Sequence, residues 1–142
     1  MPMKFTFVWV GLVEFGLCTT DVLDTFKGVF IRDMGSREPA ISIPIDLSNE
    51  LLRLMHREIV AARFSEYPAD FHVRGSIGFA PAMRYSLETR IDGTSHSVTW
   101  RDGIKPSTPD ADRLRNLFMT IKSVITDHPD VSRLPQARVG CG

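Results

Sequence analysis

Met83-RYSLETRIDGTSHSVTW-Arg101 is the most informative stretch of the chain. Asp92-Gly93 in its centre is a two-residue hairpin signal, because both positions tolerate the positive φ that a tight β-turn requires. Pairing Ile91 with Thr94 sets Thr89 against His96, Leu87 against Val98 and Tyr85 against Trp100. With Met83 these residues form one apolar face. Arg84, Ser86, Glu88, Arg90, Ser95, Ser97, Thr99 and Arg101 form the other. Such regular alternation describes an antiparallel sheet with one side packed and one side wet.

A helix follows the hairpin. Thr108 is an N-cap, Pro109 suits the first helical position, and Asp110 and Asp112 favour the positive helix end. Leu114, Leu117, Phe118, Ile121, Val124 and Ile125 make one stripe, and the helix is expected to stop near Asp127, before His128-Pro129. Upstream the same strand–strand–helix order recurs. Thr25–Met34 reads as a strand with Phe26, Phe30 and Met34 on one side, and Gly35-Ser36-Arg37-Glu38-Pro39 as a turn. Ile41, Ile43 and Ile45 alternate along a second strand, where Pro44 points to an edge or a bulge. Ser48 caps a helix whose apolar stripe is Leu51, Leu52, Leu54, Met55, Ile59 and Ala62, ending near Phe64.

The expectation is an α+β fold: an antiparallel sheet of four to six strands with two helices on one face, built as two strand–strand–helix units. It forms one domain over residues 1–142. Its parts are an apolar N-terminal strand segment (1–22), the first unit (23–66), a crossover loop (67–82), the second unit (83–127) and a tail (128–142). In the N-terminal segment Phe5, Phe7 and Trp9 share one face and Val8 and Val10 the other, as one strand or two bent at Gly11. A strand apolar on both faces has to be covered twice. Phe5, Phe7, Val8, Trp9 and Val10 are therefore candidates for an interface in a homodimer or with another protein.

The segment from Phe5 to Cys18 also has the outline of an export leader. Against this, Glu14 interrupts it, no small-x-small site follows, and Leu17 stands where a lipid-attachment box needs a small residue. At 14 residues it is shorter than the roughly 20 that a membrane-spanning helix needs. These departures favour a cytoplasmic chain with no membrane span.

Seventeen Lys and Arg balance 17 Asp and Glu, for a formal net charge of zero. That argues against a dedicated nucleic-acid binder, which carries a basic excess. The wet hairpin face also lacks the aromatic side chains of a single-strand platform. His56, His72, His96 and His128 lie far apart with no metal-ligand spacing, so neither a metal nor a cofactor is expected. Cys18 and Cys141 are too few for a disulfide scaffold, although a bridge between them is conceivable. No catalytic constellation converges.

Two weaker sites remain. Glu58 is the sole charge within the first helix's apolar arc, and with Tyr67, Tyr85, His96 and Trp100 it could line a cleft between sheet and crossover loop. Such a cleft would make the chain a small-molecule binder or an enzyme. Arg84 directly faces Arg101, and like charges so placed need an offset: Glu88, Asp102, a partner or a bound anion.

"VLDTFKGVFIRDM" (Val22–Met34), "LSNELLRLMHREI" (Leu47–Ile59), "FSEYPADF" (Phe64–Phe71), "VTWRDG" (Val98–Gly103) and "RLPQARVG" (Arg133–Gly140) resemble a family of small bacterial proteins of unknown function. Its pattern runs D-T-F-x-G-x-x-x-x-D-M, L-S-x-x-E-L, F-x-x-Y-P, V-x-W and L-P-x-x-R-G-G. Several members are exported or lipid-anchored. Val139-Gly140 departs from the pattern's final Gly-Gly. The resemblance implies no activity and no catalytic residue. In element order alone the chain is similar to emfourin, a small bacterial inhibitor of thermolysin-like metallopeptidases, which would imply a protease-inhibitor-like role. The reading favoured by the residues is a non-enzymatic binding or interaction module that self-associates.

Overall fold

The computed structural model describes residues 3–12, 18–34, 38–72, 82–102 and 108–135. Seven strands form one sheet. They are β1 (Met3–Leu12), β2 (Cys18–Asp24), β3 (Val29–Arg32), β4 (Ile41–Pro44), β5 (Asp70–Phe71), β6 (Ala82–Ile91) and β7 (Thr94–Asp102). Their spatial order is β4-β3-β2-β1-β6-β7-β5. Every pairing is antiparallel except that of β5 with β7. Helices α1 (Asn49–Ala61) and α2 (Pro109–Asp127) cover one face, and a single turn, α3 (Pro129–Ser132), follows α2. The architecture is α+β with helices on one side of an antiparallel sheet, as the sequence implies.

The hairpin register is the expected one, with Ile91 opposite Thr94, Tyr85 opposite Trp100 and Arg84 opposite Arg101. Asp92 (φ 50°) and Gly93 (φ 82°) both take the left-handed conformation that a two-residue turn demands. Both predicted helix caps form. Ser48 Oγ accepts from the Leu51 N–H at 3.2 Å, and Thr108 Oγ1 from the Ala111 N–H at 3.1 Å. The four-residue β4, carrying Pro44, is an edge strand.

Three points refine the expectation. The described residues form seven strands, roughly consistent with the expected four to six. One of the additional strands, β2, escapes sequence reading because it places the charged Asp21 beside Leu23 on the buried face, which breaks the apolar alternation. The second point concerns Thr25–Met34, which is not one strand. Residues 25–28 turn the chain into β3: Asp24 Oδ1 accepts from the Phe26 and Lys27 N–H groups at 2.9 and 3.2 Å, and Gly28 has φ 68°. Thr25 fixes the turn to the sheet, since its hydroxyl accepts from the Phe5 N–H at 2.7 Å and donates to the Phe5 carbonyl at 2.9 Å. The third point is β5, a short parallel strand inside the presumed crossover loop, where Phe71 pairs with Trp100.

β1 lies in the middle of the sheet, runs unbent through Gly11, and pairs with β2 on one side and β6 on the other. Its Phe5 and Phe7 are fully buried and Trp9 is 4% exposed. The Phe7 ring lies 5.2 Å from Trp9, 6.1 Å from Tyr85 and 5.7 Å from Phe118 of α2. Among the described residues the buried apolar side chains, Met34 excepted, form one cluster between the sheet and both helices. Burial of each such aromatic side chain is the dominant local stabilising term, and ring pairs at these separations add about 0.5–1.5 kcal/mol each.

Candidate functional site

The face of the sheet away from α1 and α2 can be read from the register alone. Its central row crosses five strands: Ile31 beside Val22, Val22 beside Val8, Val8 beside Ser86, and Ser86 beside Thr99. The row toward the start of β6 holds Thr20, Val10, Arg84 and Arg101 in sequence across the strands. The row on the other side holds Val29, Asp24, Thr6, Glu88 and Ser97. Val8, Val10, Val22, Val29 and Ile31 are half-buried, whereas Arg84, Glu88, Thr99 and Arg101 are exposed. A band of branched apolar side chains thus lies open on the central strands, with charge on both flanks.

Arg84 and Arg101 face each other across β6 and β7. Among the described residues neither has an ion-pair partner. Asp102, expected as one offset, points instead to the helix side. There it is 9% exposed and takes a bidentate pair from Arg115, Nε to Oδ2 at 2.7 Å and Nη2 to Oδ1 at 2.9 Å. Hydrogen bonding to Asp102 holds the Arg115 guanidinium above its ordinary pKa. Glu88 is two rows away and forms no ion pair among the described residues. Among the described residues the arginine pair is therefore held by the sheet without an ion-paired counter-charge, an arrangement that costs stability.

The proposed cleft residues do not converge. Tyr85 (4% exposed) and Trp100 (2%) are core side chains on the helix side, within ring contact of Phe118. Burial raises the Tyr85 phenol pKa, the nearby Asp102 carboxylate raises it further, and Arg115 opposes both. The buried Trp100 Nε1 has no hydrogen-bond partner among the described residues. Half-buried His96 donates its Nε2 proton to the Tyr67 carbonyl at 2.9 Å and stands edge-on to Phe64, which makes it a brace rather than a base. Glu58 is half-buried on α1 and forms no ion pair among the described residues.

Tyr67 does border a shallow depression of about 310 Å³, shared with Arg63, Glu66, Pro68, Phe71, Asp110 and Arg113. Three of its polar side chains, Tyr67, Asp110 and Arg113, are already engaged. Tyr67 Oη donates to the Asp110 carbonyl at 2.7 Å, while Arg113 donates to the Ala62 carbonyl at 2.9 Å and to Asp110 Oδ1 at 3.0 Å. Neither Glu58 nor His96 lines this depression.

Phe5, Phe7 and Trp9 correct the interface expectation. They are covered by the protein's own helices, so only Val8 and Val10 of that set remain open to a partner. The apolar character of both faces of β1 follows from its central position in the sheet.

Sequence reading missed a second polar pair on the helix side. Asp21 on β2 lies opposite Arg32 on β3, and the two side chains form a buried pair, Nε to Oδ1 at 3.1 Å and Nη2 to Oδ2 at 3.3 Å. Arg32 Nη1 also donates to the Pro135 carbonyl at 3.2 Å, tying the tail to the sheet. Burial lifts the Asp21 carboxyl pKa even though Arg32 draws it down. The only advance signal was a charged pair at opposed positions of strands not yet recognised as neighbours.

Among the described residues no three His, Cys, Asp or Glu side chains gather as a metal site, and no helix is long and apolar enough to cross a membrane. Cys141 lies outside the described residues, as do the side chain of Cys18 and residues 73–81 of the crossover. No family model matches the chain, and no curated protein matches it.

Proposed function

We propose that this protein is a non-enzymatic interaction module that self-associates through the open face of its sheet. One observation carries the reading. The half-exposed row Ile31–Val22–Val8 occupies the middle of a seven-stranded sheet, beside an arginine pair that no described acid neutralises. Burying those branched side chains gains about 25 cal/mol per Å² of apolar surface, and an acidic group on the partner relieves the Arg84–Arg101 repulsion.

Sheets pack face to face at a spacing of about 10 Å with their strands nearly aligned. Five strands at about 4.8 Å and three rows at about 7 Å present a patch of roughly 500 Å² per copy. That lies toward the small end of specific interfaces, so association in the micromolar range is expected.

Sedimentation of the full chain over a wide concentration range tests the proposal. The expected result is a mass that rises from monomer toward dimer, with Val22→Glu holding the chain monomeric. Met119→Glu on the exposed outer side of α2, where Met119 is 54% exposed, is expected to leave association unchanged. A wild-type chain that stays monomeric at all concentrations overturns the reading.

A further inference from the structure

The open face carries its charges in an order that specifies how a second copy would sit. This step rests on the self-association proposed above. Along β6, Arg84 and Glu88 lie two residues to either side of Ser86, and Ser86 belongs to the central row with Val8, Val22 and Ile31. At a rise of about 3.4 Å per residue, each charge stands about 7 Å from that row, on opposite sides.

We infer that the two copies are related by a two-fold axis running between the sheets along this central row. Such an axis keeps each strand over its own counterpart and exchanges the two flanking rows. Arg84 then meets Glu88 of the partner subunit, and Glu88 meets the partner's Arg84, giving two equivalent contacts for each dimer. On the axis Val8, Val22 and Ile31 meet their own copies, apolar on apolar. Arg and Glu side chains together span the gap of about 10 Å between packed sheets.

Two other simple two-fold arrangements fail on charge. An axis along β1 exchanges β6 with β2, and sets Glu88 against the partner's Asp24. An axis along β6 sets Arg84 on the partner's Arg84 and Glu88 on the partner's Glu88. Like charges facing each other at an interface cost several kcal/mol. Of these three, only the axis along the central row brings an acid to Arg84, whose pair with Arg101 has no ion-pair partner among the described residues.

The test uses two single variants of the full chain, Arg84→Glu and Glu88→Arg, each sedimented alone and then mixed in equal amounts. Both substitutions fall at exposed positions, and a urea curve for each confirms that it folds. In the inferred geometry Arg84→Glu sets two acids together at both contacts, and Glu88→Arg sets two bases together. Each variant alone is therefore expected to dimerise at least about tenfold more weakly than the wild type. Their mixture pairs acid with base at both contacts and is expected to recover a heterodimer within about threefold of wild-type affinity. Raising the salt concentration is expected to weaken the wild-type dimer and to relieve each variant's defect.

A wild-type dimer whose variants dimerise normally, or whose mixture stays as weak as its parts, overturns this two-fold pairing and leaves self-association standing. A monomeric wild type overturns both.

Discussion

The two faces of β1 share one strand, and alternate residues along it, yet they meet different surroundings. On the helix side Phe5, Phe7 and Trp9 are sealed by α2 and by rings from neighbouring strands. On the open side Val8 and Val10 remain half-exposed beside an arginine pair that no described acid neutralises. The helix side brings charge inward only in bidentate, mutually satisfied pairs, Asp21 with Arg32 and Asp102 with Arg115. The open side does the reverse, leaving Arg84, Arg101 and Glu88 without ion pairs among the described residues. A face whose buried charges are paired is finished by folding. A face whose charges are ordered but unmatched still has interactions to make.

Substitutions on the two faces should separate accordingly. Phe7→Ala removes a fully buried ring in contact with three others, and is expected to cost about 3–5 kcal/mol in a urea unfolding series. A loss below about 1 kcal/mol would mean that the helix-side packing is not the principal core.

An intermediate effect comes from pH. The chain has two tyrosines, Tyr67 and Tyr85, and burial raises both phenols above 10.0. The folded state then keeps protons that the unfolded chain releases, so stability is expected to fall as pH rises through 10. Spectrophotometric titration should show tyrosinate appearing together with unfolding. Ionisation of either tyrosine near pH 10 in a chain still folded would place that ring in water. The smallest change is expected for Val8→Thr. At concentrations too low for association it should shift stability by no more than about 0.5 kcal/mol, because its site is half-open and a β-branched shape is kept. A loss approaching that of Phe7→Ala would show that both faces of β1 are core.

Much of this structure was legible in the chain. The β6–β7 register followed from Asp92-Gly93 and strict alternation, and both long helices from their caps and stripes. Those signals are local, since turn chemistry and periodicity act over a few residues. What escaped detection is non-local. β2 was hidden because Asp21 interrupts its apolar face, and only Arg32, eleven residues on in another strand, makes that tolerable. The D-T-F-x-G stretch looked like strand because Phe26 fits an apolar alternation. Its actual role is a turn, set by Asp24 capping two backbone N–H groups and by Thr25 reaching across to Phe5.

The candidate site divides in the same way. The Arg84–Arg101 opposition is a property of one hairpin and could be read in advance. The identity of the open apolar residues required the order of strands, which placed β1 at the centre and gave Phe5, Phe7 and Trp9 to the helices.

That central position also constrains how the chain is made. β1 emerges from a ribosome before the other strands of the sheet and can form its hairpin with β2 early, but its other edge waits for β6, whose Ile91 pairs with Met3. At about 5–20 residues per second, the roughly 70 residues between β1 and β6 take about 3.5–14 seconds to synthesise. For that interval a strand apolar on both faces has one bare edge and lacks the cover of α2. The hazard of this architecture therefore falls in the nascent chain, and slowing synthesis between β2 and β6 is expected to lower the soluble yield without altering the stability of the protein that does fold.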